Sequence, residues 1–186
     1  ANFHDIYMDA LLLAGADKLA RGDAEGAIAL YSKAFDYPEN HQVFYVDGRV
    51  PHDAQVYCAL AEAYAALGDA ANEKANYEKA VQVNVRKTDY RYWKGVALKA
   101  LGRKDEAKAL FRELVDEGKK GIVTDFVNFY GAEGTTGETV ATVNTRAYLT
   151  MGLGYKGLGR PFKARSCFKK AVSLKPDNLW ADVMLR

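Results

Sequence analysis

Apolar and small residues recur along this chain at intervals of three and four, the spacing that places side chains on one face of an α-helix. Two strings show the spacing most clearly: Tyr148-x-x-Met151-Gly152-x-x-Tyr155 and Tyr57-x-x-Leu60-Ala61-x-x-Tyr64. A glycine and a charged residue follow each string, and a second helical pattern follows the glycine. The pattern predicts pairs of helices joined by a tight turn, repeated along the chain.

The same skeleton occurs four times. Each copy has a small contact residue on its first helix, a turn glycine, and a large apolar residue on its second helix. The contact residues are Gly15, Ala61, Gly95 and Gly152, the turns are Gly22-Asp23, Gly68-Asp69, Gly102-Arg103 and Gly159-Arg160, and the large residues are Tyr31, Tyr77, Phe111 and Phe168. Lys18, Glu73 and Lys94 depart from the skeleton, and each departure weakens a single contact without breaking the period.

The skeleton resembles the tetratricopeptide repeat, a unit of about 34 residues made of two antiparallel helices. The resemblance covers about three quarters of the chain and implies an all-α, right-handed α-solenoid of about four repeats with two insertions. It also implies a scaffold that binds a protein or a peptide and has no catalysis of its own. Some members clamp a peptide carboxylate with Lys and Asn, and this chain has Leu12, Ala16 and Cys58 at those places, so the usual clamp is absent.

The predicted organisation is a single domain over 1–186. Only the interval between Ala61 and Gly95 has the length of one repeat, so the longer intervals on either side contain insertions. The segments are repeat 1 at about 5–36, an insertion at 37–52, repeat 2 at 53–86, repeat 3 at 88–117, an insertion at 118–138, repeat 4 at 139–176 and the start of a capping helix at 178–186.

The first insertion holds the apolar run 43–46 before Asp47-Gly48, which predicts either a β-hairpin or an irregular ordered loop. In the second insertion, Ile122, Phe126 and Tyr130 have the spacing of one face of a short helix, and 131–137 is glycine-rich and predicts a flexible loop. Thr135 and Glu138 have the spacing of a capping box for the next helix.

Aromatic residues in the insertions are candidates for a binding surface, because loops between repeats often carry function. The candidate residues are Phe44, Tyr45, Phe126, Phe129 and Tyr130. The alternative is that these rings only fill the gaps where units are spaced apart.

The register of the repeat places a second candidate surface on the first helices, which line the concave face of such a solenoid. The candidate groove residues are Tyr92, Lys99, Arg146 and Lys156. The three cations suit a carboxylate or another anion, and Tyr92 suits a flat apolar contact. The alternative is a solvated helix face of mixed charge.

The composition of the chain limits the classes of partner that we expect it to bind. The chain has 26 basic and 24 acidic residues, a net charge of +2, which gives no support for nucleic-acid binding. Cys58 and Cys167 lie in different repeats and are expected to be buried thiols. No transmembrane or signal segment is visible, so we expect no membrane insertion, and the cytoplasm is slightly favoured. Abrupt ends suggest a domain excised from a larger protein.

No catalytic, cofactor or metal pattern is found, and we expect no enzyme and no cofactor. The sequence 152–157 matches G-x-G-x-x-G, but a dinucleotide site needs a preceding strand, and 140–149 has a helical pattern. The repeat leaves Gly154 and Gly157 unexplained, and they suit the close approach of a neighbour or a ligand. His41 and His52 match no metal-ligand spacing and are expected to be solvated loop residues.

Four stretches carry a narrower resemblance, to the C-terminal repeats of large bacterial proteins of unknown function. They are 37–40, 48–53, 97–103 and 151–159. The resemblance implies an N-terminal β-sandwich in the parent protein. The second hypothesis is that this chain is an accessory helical module of a larger carbohydrate-active bacterial protein. A third hypothesis is a sensor that binds a small ligand or a peptide in the groove near Arg146.

Overall fold

A computed structural model describes residues 3–36, 50–86, 89–124 and 139–186 of the chain. All regular secondary structure in those residues is α-helical. The helices are α1 (Phe3–Ala20), α2 (Ala24–Lys33), α3 (Asp53–Ala66), α4 (Ala70–Gln82), α5 (Arg91–Ala100), α6 (Lys104–Lys120), α7 (Val140–Gly157), α8 (Pro161–Leu174) and α9 (Leu179–Leu185). The predicted all-α fold of consecutive helix pairs is confirmed.

The chain forms two compact units, Ala1–Glu106 and Ala107–Arg186. In the first unit, α1 packs on α2 and α3 packs on α4, while α1, α3 and α5 lie side by side as a layer of first helices. In the second unit, α7 packs on α8 and α8 packs on α9. The single domain predicted over 1–186 stays a prediction.

The turns inside the pairs follow from a glycine in the left-handed region, where a Cβ is disfavoured. The backbone angle φ is 84°, 73°, 81° and 69° at Gly22, Gly68, Gly102 and Gly159. In the first two pairs an aspartate then caps the second helix: Asp23 accepts from the Gly26 N–H at 2.8 Å, and Asp69 accepts from the Asn72 N–H at 3.0 Å. Each cap satisfies a backbone donor that the helix leaves free.

An aromatic ring of the second helix lies against a small residue of the first helix. A Cβ added at Gly15 would lie 2.2 Å from Cε1 of Tyr31, and one added at Gly152 would lie 2.4 Å from Cε1 of Phe168. Ala61 and Tyr77 belong to one buried cluster in the second pair. Burying a ring of this size stabilises the fold by about 1.5–3 kcal/mol, so these contacts hold the pairs together.

Gly154 and Gly157, which the repeat skeleton does not explain, lie against Phe111. A Cβ at Gly154 would lie 2.7 Å from the backbone oxygen of Phe111, and one at Gly157 would lie 2.3 Å from Cδ1 of the same residue. Phe111 belongs to α6 and is only 1% exposed. The two glycines therefore admit a neighbouring helix, and the G-x-G-x-x-G string forms the C-terminal end of α7, where helix and not a strand precedes it.

The last three residues of α6, which continues to Lys120, fall in the segment 118–138 predicted as the second insertion, and the bounds of that insertion stay a prediction. Gly118 stays helical and buried, since a Cβ there would lie 2.6 Å from the backbone oxygen of Ala147. Ile122 is not helical, and Thr139 caps α7 through the Thr142 N–H at 3.2 Å. The other insertion predictions lie outside the described residues: the hairpin or loop at 43–48, Phe44, Tyr45, Phe126, Phe129, Tyr130, and the capping box of Thr135 and Glu138.

The contact between Gly157 and Phe111 gives a stability prediction. Gly157→Ala gains helix propensity worth about 1 kcal/mol, but overpacking a buried ring costs about 1–3 kcal/mol. We expect a net loss of about 1 kcal/mol in the free energy of unfolding, measured by urea denaturation.

A double variant tests the cause of that loss. Phe111→Leu removes ring atoms that the new methyl group would meet, so we expect it to destabilise the Gly157→Ala protein less than it destabilises the natural chain. An equal cost of Phe111→Leu in both backgrounds would show that the ring and the methyl group do not clash.

Candidate functional site

The layer of first helices in the first unit is buried at one end and exposed at the other. Gln55, Cys58 and Tyr92 are all buried, with exposed fractions of 3%, 0% and 6%. Farther along the same helices, the exposed residues include Ala16, Glu62, Ala65 and Lys99. These four offer an incoming partner two small side chains, one carboxylate and one ammonium group.

Tyr92, a predicted groove residue, contributes little accessible surface. Its ring meets the ring of Trp93 edge to face, with centroids 5.1 Å apart. Burial, together with the charge of Glu62, raises the pKa of its hydroxyl to about 12. The predicted flat contact is thus largely covered by the chain itself, whereas Lys99 is exposed as the register predicts.

The carboxylate of Glu62 affects several tyrosines near this face. Its negative charge raises the pKa of two further tyrosines, Tyr31 and Tyr77, each to about 12, although burial is the larger cause in both. Tyr31, Tyr77 and Tyr92 come from three different helices, α2, α4 and α5. Glu62 therefore places a negative charge on the exposed part of the face, near three buried tyrosines, which suits a cation or a hydrogen-bond donor.

His52 is buried, and the prediction that it is a solvated loop residue is wrong. It is 1% exposed, and its ring lies 4.7 Å, centroid to centroid, from the ring of Tyr90. Its Nε2 lies 3.3 Å from Oδ1 of Asp9, and its Nδ1 lies 3.9 Å from Oδ1 of Asp5. The reason is tertiary: α1 brings two carboxylates to the start of α3.

The surroundings of His52 favour its charged form. Burial alone would lower the pKa of His52, but Asp5 and Asp9 oppose it, and the pKa ends above its ordinary value. Neither ring nitrogen meets the full geometry of a hydrogen bond within the described residues, yet each lies near a carboxylate oxygen. Asp5 and Asp9 therefore favour the charged ring both as hydrogen-bond acceptors and through their charge. Burial and the charges of Asp89, Asp5 and Asp9 also raise the pKa of Tyr90, which keeps its hydroxyl protonated.

In the second unit, α7 carries the predicted groove residues Arg146 and Lys156, both exposed. Lys156 is partly engaged by the end of the chain, since its Nζ lies 3.1 Å from Sδ of Met184 on α9. These two cations and the first-unit residues Tyr92 and Lys99 belong to different compact units. The predicted set of four stays a prediction.

Asn144 on α7 fastens the segment that leads into the second insertion. Its side-chain oxygen accepts from the Val123 N–H at 2.8 Å, and its side-chain nitrogen donates to the Val123 carbonyl at 2.8 Å. One amide thus satisfies both backbone groups of one residue, as a neighbouring β-strand would. The sequence pattern gave no signal for this contact.

Metal-ligating side chains do not cluster in the part of the chain that the structure describes. It contains no group of three or more His, Cys, Asp or Glu side chains placed to hold a metal ion. Cys58 and Cys167 are buried free thiols, as predicted, and burial raises the pKa of both. Among the described helices, none has the length and apolar character needed to cross a membrane.

Sequence comparison identifies the repeats. Three segments match models described as tetratricopeptide repeat: 54–84, 89–117 and 145–178. Together they cover about half of the chain and coincide with three of the four copies of the skeleton. No curated protein matches the chain in sequence.

Several solved structures resemble the chain weakly. The pilF protein of Pseudomonas aeruginosa is 19% identical, with a TM-score of 0.41, over 98% of this chain and 67% of that chain. The TPR2AB domain of yeast Sti1 in complex with pHSP90 is 18% identical, with a TM-score of 0.36, over 96% and 68%. A thermophilic TPR protein of Thermus thermophilus, TTC0263, is 18% identical, with a TM-score of 0.31, over 96% of each chain.

The predicted parent protein with a β-sandwich stays a prediction.

The His52 cluster predicts a pH dependence of stability. Because the pKa of His52 is raised in the folded state, its contribution is complete below the ordinary histidine pKa of about 6.5 and is lost as pH rises through the folded value. We expect the free energy of unfolding of the natural chain to fall over this rise in pH, measured by urea denaturation at a series of pH values.

Two substitutions test this assignment. His52→Gln should remove the fall, because the titrating group is gone. Asp17→Asn, the loss of an exposed carboxylate from the same helix as Asp5 and Asp9, should leave it in place. A natural chain whose stability is flat or rising over the same range would contradict the role given to Asp5 and Asp9.

The Asn144 contact predicts a selective effect on one backbone amide. Asn144→Ala removes both hydrogen bonds, each worth about 1 kcal/mol net, so the Val123 N–H should exchange with solvent faster. Asn144→Asp keeps an acceptor for that N–H, so it should preserve more of the protection, measured by hydrogen exchange with NMR. Equal protection of Val123 in all three proteins would show that Asn144 does not hold the segment.

Proposed function

This chain belongs to the tetratricopeptide repeat family, and we propose that it is a non-catalytic scaffold that binds a protein or a peptide. The observation that carries the proposal is the layer formed by α1, α3 and α5, which presents one exposed polar face in the first unit. Repeats of this kind place successive first helices side by side, so a partner can contact several of them at once.

The chemistry of that face suits a polypeptide. Ala16 and Ala65 leave room for a backbone to approach, and Glu62 and Lys99 supply one charge of each sign. A peptide offers both an ammonium or amide donor for Glu62 and a carboxylate or carbonyl for Lys99. Opposite charges at fixed positions would also set the direction in which the peptide lies.

The second unit supplies a separate contact in this proposal. Arg146 and Lys156 on α7 are both cationic and exposed, and they suit an anionic group of the partner. The partner is another protein, a peptide, or another domain of the same polypeptide. Each unit is expected to contribute independently, so the variants below treat the units one at a time.

The test is quantitative recovery of partner proteins from the native host with the chain as bait. We expect a specific partner to be recovered by the natural chain and to fall roughly tenfold with Glu62→Gln/Lys99→Ala, the change expected when a central interface contact is lost. The matched control is Lys74→Ala/Glu78→Gln, which removes one exposed charge of each sign from the second helix α4.

The pair Arg146→Ala/Lys156→Ala reports on the second unit in the same assay. A partner lost only with this pair would place the contact on α7, and one lost with either pair would place it on both units. A partner recovered equally by every variant, or lost equally with the α4 control, would contradict the proposal.

A further inference from the structure

The chain concentrates positive charge in one stretch of the second unit. Residues 156–175 include seven basic residues and no acidic residue, although the net charge of the whole chain is only +2. The remaining residues therefore carry a net negative charge. The stretch contains the whole of α8. The near-neutral net charge of the whole chain does not show this local excess of positive charge.

The helical register separates α8 into a buried and an exposed face. Ala164, Cys167, Phe168 and Ala171 are buried within the second unit. The centre line of the opposite face follows helical spacing and consists of Phe162, Ser166, Lys169 and Ser173. Lys163 and Lys170 flank it on one side and Arg165 on the other, and all seven side chains are exposed. We call these seven residues the α8 outer face.

Charges on the α8 outer face are not balanced as they are on other second helices. On α4, Lys74 pairs with Glu78, and in α6, Lys119 pairs with Asp116. Lys169 and Lys170 have no acidic partner among the described residues, and Arg165 precedes Lys169 by four positions, a like-charge spacing that is unfavourable in a helix. Arg165 donates to the Leu185 carbonyl at 3.2 Å, and Nζ of Lys163 lies 5.6 Å from the centre of the Tyr155 ring. Lys169 and Lys170 gain no such contact among the described residues.

Phe162 adds an apolar group to the same face. Its side chain is 89% exposed, more than any other large apolar residue in the described part of the chain. It lies at the first turn of α8, and the centre line runs from it to Ser173 over about 16 Å at the usual helical rise. The face therefore joins one apolar anchor to a row of cations.

We propose that the α8 outer face is a second docking surface, for an acidic protein segment that carries an apolar side chain. Carboxylates of such a segment would pair with Lys163, Lys169 and Lys170 while its apolar residue covers Phe162. The surface lies on a second helix, so the proposal does not rest on the use assigned to the first helices.

Other anionic partners fit the face less well. The phosphate surface of duplex DNA offers charge but no apolar group to cover Phe162. A membrane surface needs a broad apolar stripe on the helix, whereas two serines occupy the centre line here. An acidic protein segment matches the cations and the single exposed ring together.

The test measures binding of the whole chain to a fluorescein-labelled peptide of alternating glutamate and serine with a central leucine. We expect saturable binding that weakens as salt rises, because exposed charges are screened. Lys163→Gln/Lys169→Gln/Lys170→Gln should weaken it about tenfold, the effect of losing three exposed ion pairs. The matched control, Lys104→Gln/Lys108→Gln/Arg112→Gln, removes three exposed cations from α6 and should leave the affinity unchanged.

A second pair of measurements isolates the apolar contact. Phe162→Ser should weaken binding of the leucine peptide and leave a peptide with serine in place of leucine unaffected. All substituted positions are exposed, and a thermal melt of each variant should match that of the natural chain. If the triple lysine variant of α8 has a lower melting temperature than the natural chain, the salt dependence and the Phe162→Ser comparison still test whether the α8 outer face binds the peptide.

Three results would overturn the proposal. One is an acidic peptide that does not bind, and another is equal weakening by the α8 and α6 triple variants, which would indicate attraction to charge in general. The third is tighter binding, lost with the α8 variant, to duplex DNA or to phosphatidylserine vesicles, which would assign the face to that partner instead.

Discussion

The structure depends on a contact in which an aromatic ring of the second helix lies on a position of the first helix that has no room for a side chain. At Gly15 and Gly152 an added Cβ would come within 2.2 and 2.4 Å of the opposing ring. Interiors are close-packed, so such a ring cannot simply move aside. The contact brings the two helices of a pair close together and decides which side of each helix is left to face outward.

Features that depend on neighbours in sequence were predictable. The spacing of small and aromatic residues predicted the helix pairs, and glycine before a charged residue predicted the turns, where Gly22, Gly68, Gly102 and Gly159 all have positive φ. A turn involves only a few adjacent residues, and its glycine has a local reason. Burial of Cys58 and Cys167 followed from their places on the predicted helices.

Features that depend on distant residues were not predictable from the pattern. His52 was expected in solvent, because nothing near it in sequence shows that α1 will bring Asp5 and Asp9 to its ring. The spacing of Gly157 does not reveal Phe111 as its neighbour, since that contact joins two different helices, α6 and α7. Tyr92 was correctly placed on a first helix, but its burial depends on how that helix packs.

The fold constrains the buried positions of each helix pair more tightly than the charged positions on its surface. The charged positions can therefore carry information about function. The ring contacts constrain the inward positions of each pair, so the outward positions can vary at little cost to the fold. On α4 they hold ion pairs of opposite sign, as a solvated helix should, whereas on α8 they hold cations and an exposed phenylalanine. Arg165 and Lys163 contact Leu185 and Tyr155. No ion pair among the described residues accounts for Lys169 and Lys170, and like charges destabilise the helix that carries them. Where a sequence departs from what the fold favours without a local gain, recognition is the physical explanation to test first.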